Sequence, residues 1–203
     1  MKNKRLWILL GGIVLISAAF LLLNFRIAVS DMQVIPRIIG TKLDHYPDRL
    51  RPNDKISLVL AGEGPLVHAL QNALMEKWDK ARMGQLELEQ ERRSTYPNPV
   101  LDVQVGRPDL VWTPFFATCQ FSIRAKYATN GDPNFMETLD ATQIYLRRSD
   151  PSVVDLINEY EGSDRSFGLI SRLGYHQYLA DYFAQQIIDV MKNLYNIQDP
   201  GGG

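Results

Sequence analysis

Lys55–Glu91 reads KISLVLAGEGPLVHALQNALMEKWDKARMGQLELEQE, and this stretch sets the fold class. Lys55–Ala61 is a short apolar run rich in β-formers, the pattern of a buried strand. Gly62-Glu63-Gly64-Pro65 then turns the chain, with Pro65 suited to the first helical position and Gly64 a tolerable N-cap. Val67, Leu70, Leu74 and Trp78 are spaced 3, 4 and 4, a single core-facing stripe that predicts a helix to about Arg82. Gly84 ends it. In Gln85–Glu91, Leu86 and Leu88 alternate with Glu87 and Glu89, which predicts a strand with one wet face. The three pieces form a βαβ unit, with a right-handed crossover if its strands lie parallel in one sheet.

Working outward toward the C-terminus, Val100–Gly106 alternates with Leu101, Val103 and Val105 on one face, and Arg107-Pro108-Asp109 breaks it. Phe116–Thr129 alternates most cleanly, with Phe121, Ile123, Ala125 and Tyr127 opposite Gln120, Ser122, Arg124 and Lys126. Asn130-Gly131-Asp132-Pro133 is a turn signal, and Leu139–Arg148 reads as a further strand. The breaks are too short for crossover helices, so these three strands are predicted to form an antiparallel meander. Asp150-Pro151-Ser152 can open a short helix to about Tyr160. A long last helix is expected from Asp164 or Ser166 to Tyr195, with Leu179, Phe183, Ile187, Val190 and Leu194 as its core stripe. The expected class is α+β, a two-layer βαβ-βββ-α sandwich over residues 55–195, with a frayed tail over 196–203.

Toward the N-terminus, Asp31–Asp54 holds three prolines and no sustained period, so residues 26–54 read as a partly extended stalk. Before it, Leu6–Phe25 (LWILLGGIVLISAAFLLLNF) has no charge in 20 residues. As a helix it would cover ~30 Å, the thickness of a bilayer's hydrocarbon core. Residues 6–25 are therefore expected to be a single transmembrane helix. Lys2, Lys4 and Arg5 place residues 1–5 in the cytoplasm and the domain outside, in the periplasm, by the positive-inside rule. The alternative is a signal peptide cut between Ser30 and Asp31, where Ala28 and Ser30 supply small residues; the apolar run is longer than the ~7–15 residues of such a segment. No cysteine follows the run to carry a lipid, since the one cysteine is Cys119.

Composition narrows the function classes. With 45% apolar residues in 203, the chain is not a disordered tail. One cysteine excludes an intramolecular disulfide framework and a cysteine-based zinc finger. Residues 1–30 hold Lys2, Lys4, Arg5 and Arg26 and no acid, so the remaining 18 basic residues face all 23 acidic ones. A domain of that sign is a poor polyanion binder, which argues against nucleic acid as a partner.

Individual motifs point to no enzyme. Gly62-Glu63-Gly64 sits between strand and helix, where phosphates can be held. Yet no GxGxxG or GK[ST] is completed, and Glu63 would repel an anion, so a tight turn is the better reading. His45, His68 and His176 share no metal-ligand spacing. Cys119 lies among aromatics, as a buried small hydrophobe does. No catalytic residue, metal or cofactor is assigned.

What stands out is aromatic. Trp112, Phe115 and Phe116 fall in five residues between two strands, and Tyr175, Tyr178 and Tyr182 line one face of the last helix. Exposed, either group is a partner surface; buried, it widens the core. Gly11, Gly12 and Ala18 are small residues where another membrane helix could pack. The expectation is a non-catalytic accessory or assembly subunit of a larger bacterial membrane complex, photosynthetic, respiratory, secretory or transporting. Its partners are the lipid bilayer and other subunits. The alternative is a membrane-tethered domain that binds a lipid or other apolar ligand between sheet and helices.

Overall fold

In a computed structural model that describes residues 2–40, 54–138 and 155–194, the chain is α+β. Helix α1 runs Lys2–Leu22, and β1 follows as Arg26–Gly40. The βαβ unit comprises β2 (Lys55–Ala61), α2 (Pro65–Ala81) and β3 (Gln85–Leu88). Then come β4 (Val100–Val105), β5 (Asp109–Thr113), β6 (Phe116–Ala128) and a 3-10 turn at Phe135–Thr138. The chain closes with β7 (Asp155–Ile170) and α3 (Arg172–Leu194).

Among the described residues seven strands share one mixed sheet in the order β1-β7-β6-β4-β2-β3, with β5 pairing the first part of β6. β2 pairs in parallel with β3 and β4; the remaining pairs are antiparallel. Leu66, Val67, Leu70, Leu74 and Trp78 of α2 pack with Leu179, Phe183, Ile187 and Met191 of α3 over one sheet face. That face presents Ile56, Leu58, Leu101, Val103, Phe121, Ile123 and Tyr127. The stripe read on α2 is core, as are Leu179, Phe183 and Ile187 of the stripe read on the last helix; Val190 and Leu194 are only partly buried, and Met191 is buried at that end instead.

Three differences from the sequence reading concern strands. Residues 26–40 are not stalk: β1 pairs with β7 along its whole length, from Arg26 opposite Ile170 to Gly40 opposite Leu156. Pro36 is tolerated because β1 is the edge strand, where an absent N–H can face outward. Residues 155–170 are one long strand, so the short helix to Tyr160 is not formed there and the last helix begins at Arg172 rather than Asp164 or Ser166. The cause is β7's core-facing side, where Leu156, Tyr160 and Ile170 are interrupted by Asn158, Gly162, Asp164, Ser166 and Gly168, so no sustained apolar alternation marks the strand. Asp109–Thr113, which begins at the expected break Arg107-Pro108-Asp109 and runs through the segment read as lying between two strands, pairs as β5 with Phe116–Gln120.

The remaining stalk from 41 to 53, the strand at 139–148, Asp150-Pro151-Ser152 and the tail at 196–203 lie outside the described residues. On α1, side chains are described over 10–18 and 20–22. Among the described residues no helix is long and apolar enough to cross a membrane, so the transmembrane helix expected over 6–25 has no support from the structure.

Candidate partner interface

α2 and α3 lie on one face of the sheet, and the other face changes character along the strands. At the end remote from α1 it is ionic. Arg124 bridges Glu137 at 2.5 Å and Glu159 at 3.0 Å, and Lys126, nearly buried, reaches Glu137 at 3.0 Å. These cations hold the Glu137 carboxyl below its ordinary range against the opposing effect of burial. Asp102, fully buried, is met by Arg92 at 2.6 Å and by the Gln104 amide at 3.0 Å. Beside them Val59, Tyr96, Val100 and Ala128 form a small apolar cluster.

At the end next to α1 the same face is apolar. Register aligns Val29, Phe167 and Phe116 across β1, β7 and β6, with Ile27 and Leu169 one pair further on. Residues directly opposite share a face, so the five side chains form one surface. Val29 is 79% exposed and Phe167 58%, and the Phe116 and Phe167 rings lie 4.9 Å apart. Phe115, 65% exposed in the β5–β6 turn, extends the patch to α1 through Phe20, at 6.3 Å between centroids. Phe20 in turn meets Phe25 edge-on at 5.1 Å. Contiguous exposed apolar surface of this kind marks interaction sites.

The pleat splits the aromatic group expected at 112–116. Phe116 faces away from the helices and Phe115 projects from the turn. Trp112 faces the helices and rests partly on the core, its indole N–H donating to the Ile170 carbonyl at 3.2 Å. The helical group divides as well. Tyr175 is 0% exposed and its hydroxyl donates to Asp164 Oδ2 at 2.8 Å, so it is a core residue and cannot dock a partner. Tyr178 is half-buried beneath the Arg26 guanidinium, 3.7 Å above its ring. Tyr182 is half-buried, edge-on to Phe183 at 5.4 Å. Gly11 is exposed and Gly12 and Ala18 are half-buried; a Cβ on either glycine would meet nothing within 4 Å.

Four members of the patch were not readable as interface residues. Ile27 and Val29 fall in the presumed stalk, and Phe167 and Leu169 in the presumed start of the last helix. The spacing of two within each pair was the only local signal.

The remaining candidates resolve chemically. Gly62 adopts φ +131°, and a Cβ there would press to 2.8 Å from the Val105 carbonyl oxygen, so the turn needs glycine. Cys119 is buried, and burial, with Asp164 and Asp109 adding to it, pushes its thiol up to about 12. It is a packed thiol rather than a nucleophile at neutral pH. His68 is exposed on α2, His176 is buried at the start of α3, and His45 lies outside the described residues. Among the described residues no group of three His, Cys, Asp or Glu could hold a metal.

No protein-family model and no curated protein matches the chain. Among solved structures, the PelC dodecamer from Paraburkholderia phytofirmans is similar with 12% identity, covering 82% of this chain and 100% of that one, at a TM-score of 0.40. A single-substitution variant of that dodecamer gives 12% identity over 83% and 100%, also at 0.40. A minor lipoprotein from Acinetobacter baumannii gives 13% identity over 70% and 94%, at 0.31.

Proposed function

We propose that this chain is a single-pass membrane-anchored accessory or assembly subunit of a larger bacterial membrane complex, non-catalytic, with its α+β domain on the extracytoplasmic side. The anchor rests on the uncharged run Leu6–Phe25 behind Lys2, Lys4 and Arg5. The apolar side chains of α1 described as exposed include Ile13, Val14, Leu15 and Ile16. The observation that carries the docking role is the apolar patch of Ile27, Val29, Phe115, Phe116, Phe167 and Leu169, continuous with α1 and set apart from the ionic half of the same face. A subunit seated on a neighbour beside the membrane would cover such a patch.

The test is co-purification in mild detergent of the full chain and of a Phe115→Ser, Phe167→Ser variant. Aromatic anchors of an interface cost ~2 kcal/mol or more each when truncated. Two such losses weaken an association roughly a thousandfold, since ~1.4 kcal/mol is tenfold. The expected result is loss of the co-migrating subunits with the melting temperature of the purified chain unchanged. Retention of the partners by a folded variant would overturn the role given to this face.

A further inference from the structure

The carboxyl ends of β2, β4 and β7 and the amino ends of α2 and α3 meet at one end of the domain, the end where α1 joins β1. There a cleft of about 720 Å³ opens. Its lining includes Pro65 at the start of α2, Arg107 and Asp109 between β4 and β5, and Arg172 and His176 in the first turns of α3. Neither Arg107 nor Arg172 has an ion-pair partner among the described residues. His176, only 4% exposed, lines the cleft from the first turns of α3. The two helix ends also differ. In α3 the Ser171 hydroxyl accepts from the Gly174 amide at 3.0 Å, whereas α2 begins at Gly64 with no side-chain cap.

We infer that this cleft binds a singly charged phosphate group, gripped by Arg107 and Arg172, with His176 at its buried side and the uncapped start of α2 beside it. Two guanidinium forks on separate segments suit a tetrahedral oxyanion approached from more than one direction. The positive end of a helix adds to them. Asp109 is the acid in the lining and sets the charge. With two arginines, one carboxylate and a neutral imidazole, the lining is +1, which matches a phosphodiester or monoanionic phosphate rather than a polyphosphate. Burial first, then the Arg172 charge, lower the imidazole pKa and outweigh a hydrogen bond to the Arg172 backbone that raises it, so the ring is neutral. Glu63 is exposed and lies outside the lining. The Ser171 amide beside Arg172 donates to the Phe25 carbonyl at 3.0 Å. The cleft therefore neighbours the root of α1, and both a lipid headgroup and a soluble phosphate are possible sources of the group.

The test uses the full chain in a non-ionic detergent with His45→Gln and His68→Gln, which leaves His176 as the single imidazole signal in ¹⁵N NMR. Inorganic phosphate and a short-chain phosphatidylglycerol are titrated separately. The expected result is a saturable shift of the His176 signal with at least one probe. Arg107→Ala and Arg172→Ala should each raise the dissociation constant about tenfold or more, the scale of one charge-assisted hydrogen bond, with melting unchanged. Arg93→Ala, outside the cleft, should leave it unaltered. Saturation by phosphate alone marks a soluble ligand, and by the lipid alone a headgroup. No saturable shift with either probe, or equal shifts in the Arg107→Ala, Arg172→Ala double variant, overturns the inference. The readout is made in detergent and does not require α1 to span a bilayer, so failure here and failure of the anchor are separate results.

Discussion

Asp164 lies midway along β7 with no exposure, and its Oδ2 accepts from the Tyr175 and Ser166 hydroxyls, both at 2.8 Å. Ser30 on β1 lies 2.5 Å from the Ser166 hydroxyl, so a chain of polar groups ties the edge strand to α3 through the sheet. Burial first, then the bond to Asp164 and its charge, push the Tyr175 hydroxyl far above its ordinary range. It therefore stays protonated and stays a donor. Removing one partner of a buried pair strands the other, at ~1–3 kcal/mol. Tyr175→Phe is accordingly expected to lower unfolding free energy by about that amount in urea titration, with little change in slope. A change under about 0.5 kcal/mol, the size of an ordinary surface substitution, would mean that Asp164 is satisfied by other groups.

At the scale of elements, α3 holds the domain together by its stripe. Phe183 is fully buried, edge-on to Phe121 at 4.6 Å, with Tyr160 at 6.3 Å. Phe183→Ala is expected to cost ~3–5 kcal/mol. Gln185, two residues on, accepts from Lys77 at 3.2 Å and donates to Asp189 at 2.8 Å near the surface. Gln185→Ala should cost under ~0.5 kcal/mol. Denaturant melts of both variants check the helical phase, and equal costs would place it wrongly. The β1–β7 pair depends on a different residue type. At Gly168, φ is +137° and a Cβ would come to 2.3 Å from the Ile27 carbonyl oxygen. No side chain fits there without displacing β1.

For the molecule as a whole, the orientation of the proposed anchor would decide which partners the apolar patch can meet. Lys2, Lys4 and Arg5 stand before the uncharged run and only Arg26 follows it closely, so the N-terminus is expected in the cytoplasm. A periplasm-active reporter fused after Gly203 should be active, and a cytoplasm-active one at the same place silent. The reverse pattern would remove the extracytoplasmic assignment and with it the partners open to the patch. An intact mass beginning at Asp31 would instead show that the N-terminal segment is cleaved.

The sequence by itself determined the parts whose signal is local. Apolar spacing over Val67–Trp78 and Leu179–Leu194 marks the two helices that cover the sheet, and alternation over Val100–Gly106 and Phe116–Thr129 marks β4 and β6. In each, the side chains facing the core are apolar, so the period is written in the chain. Only the tertiary structure decided β1 and β7. Along β7 the core side interrupts Leu156, Tyr160 and Ile170 with Asn158, Gly162, Asp164, Ser166 and Gly168. The polar and glycine positions are accommodated because Tyr175 and Ser166 both donate to Asp164 Oδ2, and because the glycines let β1 approach. Both reasons lie in residues far away in sequence. The apolar patch and the arginine-lined cleft are legible only in three dimensions for the same cause. Each is assembled by strand register and helix placement from segments that carry no shared motif, and long-range pairing leaves no periodic trace in the chain that forms it.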